Sequence, residues 1–157
     1  MAQSQEPGTG NTYFENVSPI LPVTDLHASL EYYVNVLGFK INWKVEGFAE
    51  VSRDRAGIML CEDEQGNPGT WVWIGVSDTD LIFEEYCVKG AKIRHPPNNY
   101  PWGYELQVYD LDENVLRIGS AQKANQPIGT WLDMKGVEWT QSEGKWVRVA
   151  EIISSKF

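Results

Sequence analysis

Trp43, Phe48, Trp71, Trp73, Trp102 and Tyr104 fall on or beside segments that read as β-strands, in a chain holding seven Trp and seven Tyr. Flat aromatic faces projecting from a sheet stack on heteroaromatic rings and attract cations through the ring quadrupole. The same rings also fill cores, so position decides which role each takes. Side chains suited to covalent or metal chemistry are sparse. Cys61 ends a predicted strand with no evident histidine base, and Cys87 falls on the apolar side of a predicted helix. His27 lies at a helix start and His95 in a predicted loop, and neither belongs to a ligand cluster of useful spacing. No Gly-rich phosphate loop and no Gly-x-Ser-x-Gly elbow occurs. Asp110, Asp112 and Asn114 read as turn formers, because the run lacks the distal Glu of a calcium loop. What remains is recognition by stacking, shape and charge.

The elements that must position these residues come twice. Val23-Thr24-Asp25 opens a helical stretch closing at Gly38, followed by Lys40-Ile41; Val76-Ser77-Asp78 opens another, closing at Gly90, followed by Lys92-Ile93. Asp25 and Asp78 suit helix N-caps, and the two glycines suit the left-handed position that ends a helix. Leu26, Leu30, Val34 and Leu37 form one apolar stripe with Tyr33 beside them; Leu81, Ile82, Tyr86 and Cys87 form the other. A first strand is predicted over 16–23, broken by Pro19 and Pro22, with further strands over 40–45, 48–52 and 57–61. Glu62 to Gly69 reads as a linker. The second copy predicts strands over 71–76, 91–94, 104–109 and 115–118, with a Pro/Asn-rich loop from His95 to Pro101. Each half is β-α-β-β-β, and neither can bury its apolar face alone. The fold class is therefore α+β: two βαβββ modules (15–65 and 70–122) forming a curled mixed sheet around a cleft. Residues 1–14 read as a flexible tail. Residues 123–157 form a Trp-rich extension with a β-hairpin, strands over 137–140 and 145–152 turning at Ser142-Glu143-Gly144. Trp131, Trp139 and Trp146 need a surface to cover.

Charge and composition narrow the function classes. At 157 residues with net charge −9, the chain would be repelled by a duplex or an anionic membrane, so no nucleic-acid or membrane partner is expected. No apolar run is long enough for a membrane helix, no signal peptide is evident, and two cysteines without CxxC spacing point to a reduced, cytoplasmic setting.

Ile20-Leu21-Pro22-Val23-Thr24-Asp25-Leu26, Ser29, Tyr32-Tyr33 and Leu37-Gly38-Phe39, then Pro101-Trp102-Gly103-Tyr104-Glu105 and Asp110-Leu111-Asp112-Glu113-Asn114, together resemble the vicinal-oxygen-chelate superfamily. That group includes glyoxalase I, extradiol dioxygenases, fosfomycin-resistance enzymes and bleomycin-resistance proteins, and the second set of motifs is similar to the bleomycin-resistance branch. Leu111 and Glu113 depart from that branch's Asp-Pro-Asp-Gly-Asn turn, and Asn114 is the residue expected at positive φ.

The resemblance implies a homodimer with shared clefts and places the metal-ligand positions of catalytic members at Ser18, Met59, Trp71 and Arg117. None is a competent ligand, so no metal and no cofactor are expected. The resemblance also puts Trp71 in the cleft and aligns Glu105 with the branch's glutamate. That carboxylate is expected to hold a ligand cation, to pair with Arg117 or Arg94, or to do both. The ligand-binding set is Trp43, Phe48, Met59, Trp71, Trp102, Tyr104, Glu105 and Arg117. The function expected is metal-free sequestration of a cationic aromatic small molecule, a bleomycin-family antibiotic being one candidate, with no catalytic residue. The alternatives are a metal-dependent lyase or dioxygenase of the same fold, or an interaction module working through its tail.

Overall fold

A computed structural model describes Gly10 and residues 12–156. Two four-stranded mixed sheets carry the fold, and a three-stranded antiparallel sheet follows at the C-terminus. The first module runs β1 (Ile20–Pro22), α1 (Leu26–Asn35), β2 (Lys40–Val45), β3 (Phe48–Arg53) and β4 (Ala56–Cys61). The second repeats it as β5 (Trp71–Gly75), α2 (Thr79–Lys89), β6 (Lys92–Tyr100), β7 (Gly103–Tyr109) and β8 (Val115–Ser120). Sheet orders are β1-β4-β3-β2 and β5-β8-β7-β6, with the first strand of each module parallel to its last. The sequence repeat is thus a repeat of topology, and the α+β reading holds.

Local chemistry fixes the helix ends. Asp25 accepts from the Ala28 N–H at 2.9 Å, and Asp78 accepts from Asp80 and Leu81 N–H at 3.0 and 3.1 Å. Gly90 closes α2 at φ +73°, a backbone state that costs glycine little. Alternation along the strands sends Leu21, Val51, Leu60, Leu106, Leu116 and Ile118 to the helix side, where they form one core with Leu30, Tyr33 and Tyr86. Polar ties lock the modules together there. Tyr33 donates to Asp110 Oδ2 at 3.0 Å, Tyr86 donates to the Leu37 carbonyl at 3.0 Å, and Arg53 pairs with Glu85 at 2.8 Å. Burial is the main cause that holds the Asp110 carboxyl and the Tyr33 phenol above their ordinary pKa values.

Several expected elements differ. The first strand shrinks to three residues because prolines at both of its ends remove ladder donors. The expected Pro/Asn-rich loop is strand: β6 runs through it to Tyr100 as an edge strand, with register shifts at Ile93/His95 and His95/Asn98 that accommodate Pro96 and Pro97. On α2, Leu81 and Cys87 face out, and the buried side is Thr79 and Tyr86, with Ile82 and Phe83 packed on the core. Positive φ in the 110–114 turn belongs to Glu113 (φ 61°) rather than Asn114, whose amide donates to Asp110 Oδ2 and the Pro22 carbonyl. The extension gains a strand, β9 (Trp131–Leu132), beside β10 (Glu138–Ser142) and β11 (Lys145–Arg148). The second predicted tail strand turns helical after Arg148, as α3 (Val149–Ser154). The flexible-tail expectation for 1–14 falls largely outside the described residues.

Candidate ligand-binding site

Each sheet has one face on the core and one turned away from it. On the outer face of the second sheet, register aligns Trp73 (β5), Arg117 (β8) and Gln107 (β7) in one row. The next row is Gly75, Gly119 and Glu105. Period-two alternation therefore puts an indole, a guanidinium and a carboxylate side by side.

The carboxylate is fully committed. Glu105 accepts from Arg117 Nε at 3.1 Å and Nη2 at 2.9 Å, and from Trp102 Nε1 at 3.0 Å, with its side chain wholly out of solvent. Of the roles the sequence left open for Glu105, pairing with Arg117 is the one the geometry makes. The Arg117 side chain keeps 25% exposure, and among the described residues its Nη1 has no hydrogen-bond partner. Its guanidinium carbon lies 5.3 Å from the Trp73 ring, 5.8 Å from Trp102 and 4.9 Å from Trp131. Those four residues line an open hollow of about 720 Å³.

Glycines seat the aromatic floor. A Cβ at Gly119 would stand 2.3 Å from the Trp73 ring, so the indole lies against bare backbone. Trp102 stacks on Tyr100 with centroids 5.0 Å apart and planes 10° apart. Burial, and then the Glu105 charge, push the Tyr100 phenol far up, and it stays neutral while donating to the Thr130 carbonyl at 2.7 Å.

The C-terminal extension covers part of this face. Trp131 packs on Trp71, Tyr100 and Trp102 at centroid separations of 5.9, 5.5 and 5.4 Å, and Trp146 lies 5.9 Å from Trp102. Arg94 stacks over Trp71 at 4.8 Å and donates to the Leu132 carbonyl at 3.0 Å and to the Asp133 carbonyl. Buried Asn99 holds the start of the tail, donating to the Lys123 and Gln126 carbonyls and accepting from Lys123 N–H, each at 2.9 Å.

The structure thus brings together Trp71, Trp102, Glu105 and Arg117 of the expected set. Trp43, Phe48 and Met59 lie on the first sheet's outer face, where Trp43 packs edge-on to Phe48 at 5.2 Å. Met59 pairs across strands with Glu50, whose carboxylate accepts from Asn42 at 3.1 Å and Ser18 at 3.5 Å. Tyr104 points to the opposite side of the second sheet. Its hydroxyl donates to Asp80 of α2 at 2.7 Å, and Lys123 lies 4.1 Å over its ring. The reason is parity: Tyr104 is odd by one from Glu105, so it cannot share Glu105's face. The Lys123 hydrogen bond, and then that from Tyr104, hold the Asp80 carboxyl below its ordinary value. Trp73, Trp131, Arg94 and Gly119 were absent from the expected set. Period-two counting back from Arg117's partner strand would have found Trp73, whereas the tail's seat on this sheet has no sequence signal beyond its tryptophans.

The four metal-ligand positions carry a hydroxyl, a thioether, an indole and a guanidinium, which do not fit a divalent cation. Among the described residues no group of three or more His, Cys, Asp or Glu is placed to hold one. A second hollow, about 550 Å³ and lined in part by Phe39, Ala56, Leu81 and Tyr86, has Arg53 paired to Glu85 within it. It carries none of the expected site residues. Among the described residues no helix is long and apolar enough to cross a membrane.

Paired βαβββ modules, each with its helix on one face of its sheet, define the class of protein. Residues 15–118 match the Glyoxalase/Bleomycin resistance protein/Dioxygenase superfamily, and the chain belongs to it. Among solved structures it is similar to the bleomycin-binding protein of bleomycin-producing Streptomyces verticillus, complexed with copper(II)-bleomycin. That match has 24% identity over 71% of this chain and 99% of that one, with a TM-score of 0.62. A bleomycin resistance determinant encoded on transposon Tn5 matches with 19% identity over 70% and 100%, TM-score 0.62. TnmS3, an antibiotic-binding protein from Streptomyces sp. CB03234, matches with 21% identity over 69% and 98%, TM-score 0.61. A comparison with curated proteins finds no match.

Proposed function

We propose that this protein binds and sequesters a bulky aromatic small molecule, stacking it on the tryptophans of the second sheet's outer face. The observation that carries this reading is the exposure of Trp73 and Trp102, 47% and 45%, around a hollow walled by Trp131 and floored by Arg117. Exposed indoles held in place by a sheet and its neighbours are costly to leave in water and suited to stacking. The antibiotic-binding relatives support a ligand of antibiotic type, a bleomycin being one candidate. The unsuitable donor set supports binding without metal, and nothing in the site is arranged as a nucleophile with its base.

The cationic part of the ligand meets the net charge of −9 and, locally, Glu50 beside Trp43 on the first sheet. Trp43 and Val45 are 37% and 58% exposed on the outer face of the first sheet, which supports a homodimer in which a second copy covers that face. The same reading puts the protein in the cytoplasm, where its two free cysteines stay reduced.

Tryptophan-fluorescence titration with bleomycin, in low and moderate salt, tests the proposal. Saturable quenching near one ligand per chain that weakens with salt supports it. No saturation at high micromolar bleomycin removes the bleomycin assignment. Light scattering across a concentration series tests the dimer.

A further inference from the structure

We infer that the C-terminal extension completes a ligand pocket within a single chain, with Trp131 as its outer wall. Arg117 then selects a flat aromatic group bearing an oxygen acceptor. This deepens the binding function proposed above and rests on it.

Three observations converge. First, the Glu105 carboxylate behind the hollow is spent. Both Glu105 oxygens are held by Arg117 and Trp102, so an incoming ammonium finds no acceptor there. Second, Arg117 faces the hollow with donor capacity left over. Nε and Nη2 are used, whereas Nη1 has no partner among the described residues. An acceptor oxygen on the ligand satisfies it in a setting walled by indoles, where charge-assisted hydrogen bonds are strong. Third, the wall opposite the sheet belongs to the tail. Trp131 stands 4.9 Å over the Arg117 guanidinium and contacts Trp102, while Arg94 and Tyr100 anchor residues 130–133 to the sheet. The Trp73 ring, seated against Gly119, stands beside the Arg117 floor. A ring entering between Trp73 and Trp131 puts an edge substituent at Nη1. A cationic substituent there meets a guanidinium and is excluded, so the ligand's positive end lies outside this pocket.

The probes are 2-naphthoate and 2-naphthylmethylammonium, the same ring with opposite charge. They are titrated into the full chain at about 0.15 M salt, where the long-range field is screened beyond ~8 Å. The seven indole N–H signals are followed by NMR. Naphthoate is expected to bind tighter than the ammonium by roughly fivefold or more, moving the Trp73, Trp102 and Trp131 signals. Trp131→Ala is expected to weaken naphthoate by roughly threefold to tenfold. Because removing Arg117 alone strands a buried carboxylate, the selectivity test uses the double variant Glu105→Gln/Arg117→Met, in which the preference for naphthoate disappears. The inference is overturned if the ammonium binds as tightly or tighter, or if Trp131→Ala leaves affinity unchanged or raises it, as a competing lid would. Saturable bleomycin binding without any naphthoate preference defeats this inference and leaves the binding function standing. Failure of both titrations defeats both.

Discussion

Arg117 and Glu105 face each other from neighbouring strands with two contacts, 3.1 and 2.9 Å, and the carboxylate is completely enclosed. This pair decides the character of the second sheet's outer face. It turns what the sequence offered as an acidic anchor into a neutralised floor, with one guanidinium nitrogen free of partners among the described residues. Removing one member is therefore costly. Glu105→Ala leaves a guanidinium among indoles without its counter-charge and is expected to lower stability by about 3 kcal/mol or more, read by urea denaturation. Replacing both partners together by Gln and Met is expected to cost much less. Equal losses would mean that the pair is not coupled.

Trp73 owes its position to a residue without a side chain. Gly119→Ala would put a methyl 2.3 Å from the ring, and the indole must lift off the sheet. The expected result is a loss of about 1–3 kcal/mol in stability, with a shifted tryptophan emission. An unchanged emission would show that the ring does not rest there.

Arg94 is one of the groups that hold the tail. Arg94→Gln removes the hydrogen bonds to the Leu132 and Asp133 carbonyls and the stacking on Trp71. Amide exchange at residues 129–133 is expected to rise sharply while the core strands β7 and β8 stay protected. Uniform protection throughout would show that Arg94 does not secure the strap.

Alkaline pH probes the seam between modules. Burial raises the Tyr86 phenol from 10.0 to about 12 while it donates to the Leu37 carbonyl. A folded-state pKa above the unfolded one means a contribution that is whole below pH 10 and lost as pH climbs toward 12. The unfolded chain gives up the proton first, so stability falls across that window, by about 2–3 kcal/mol for this group. Tyr33, raised for the same reason, adds to the decline. Tyr86→Phe is expected to be about 1 kcal/mol less stable at neutral pH and to lose less between about pH 9 and about pH 11.5. Denaturation curves at the two pH values check both signs.

The fold was legible because its signals are local and doubled: capping aspartates, terminal glycines and alternating strands occur in both modules. The second half of β6 was missed because Pro96 and Pro97 read as breakers, and only an edge position with bulges lets a strand carry them. The site was legible in part. Register parity from the Trp-Gly-Tyr-Glu segment puts Glu105 and Arg117 on the outer face, and the same parity excludes Tyr104. Trp131 was visible as an indole needing cover, yet its partners Tyr100, Trp102 and Arg117 are set by a long-range return of the chain that no local pattern encodes.

The measurement that bears most directly on the central claim is calorimetric titration of bleomycin into the wild-type chain and into Trp73→Ala. Trp73 is half exposed, so its removal leaves the core intact. The account predicts saturable binding near one ligand per chain, weakened roughly tenfold by the substitution. Saturable binding of equal affinity in the two proteins would contradict a ligand site on the outer face of the second sheet, and no saturation would remove bleomycin as the ligand.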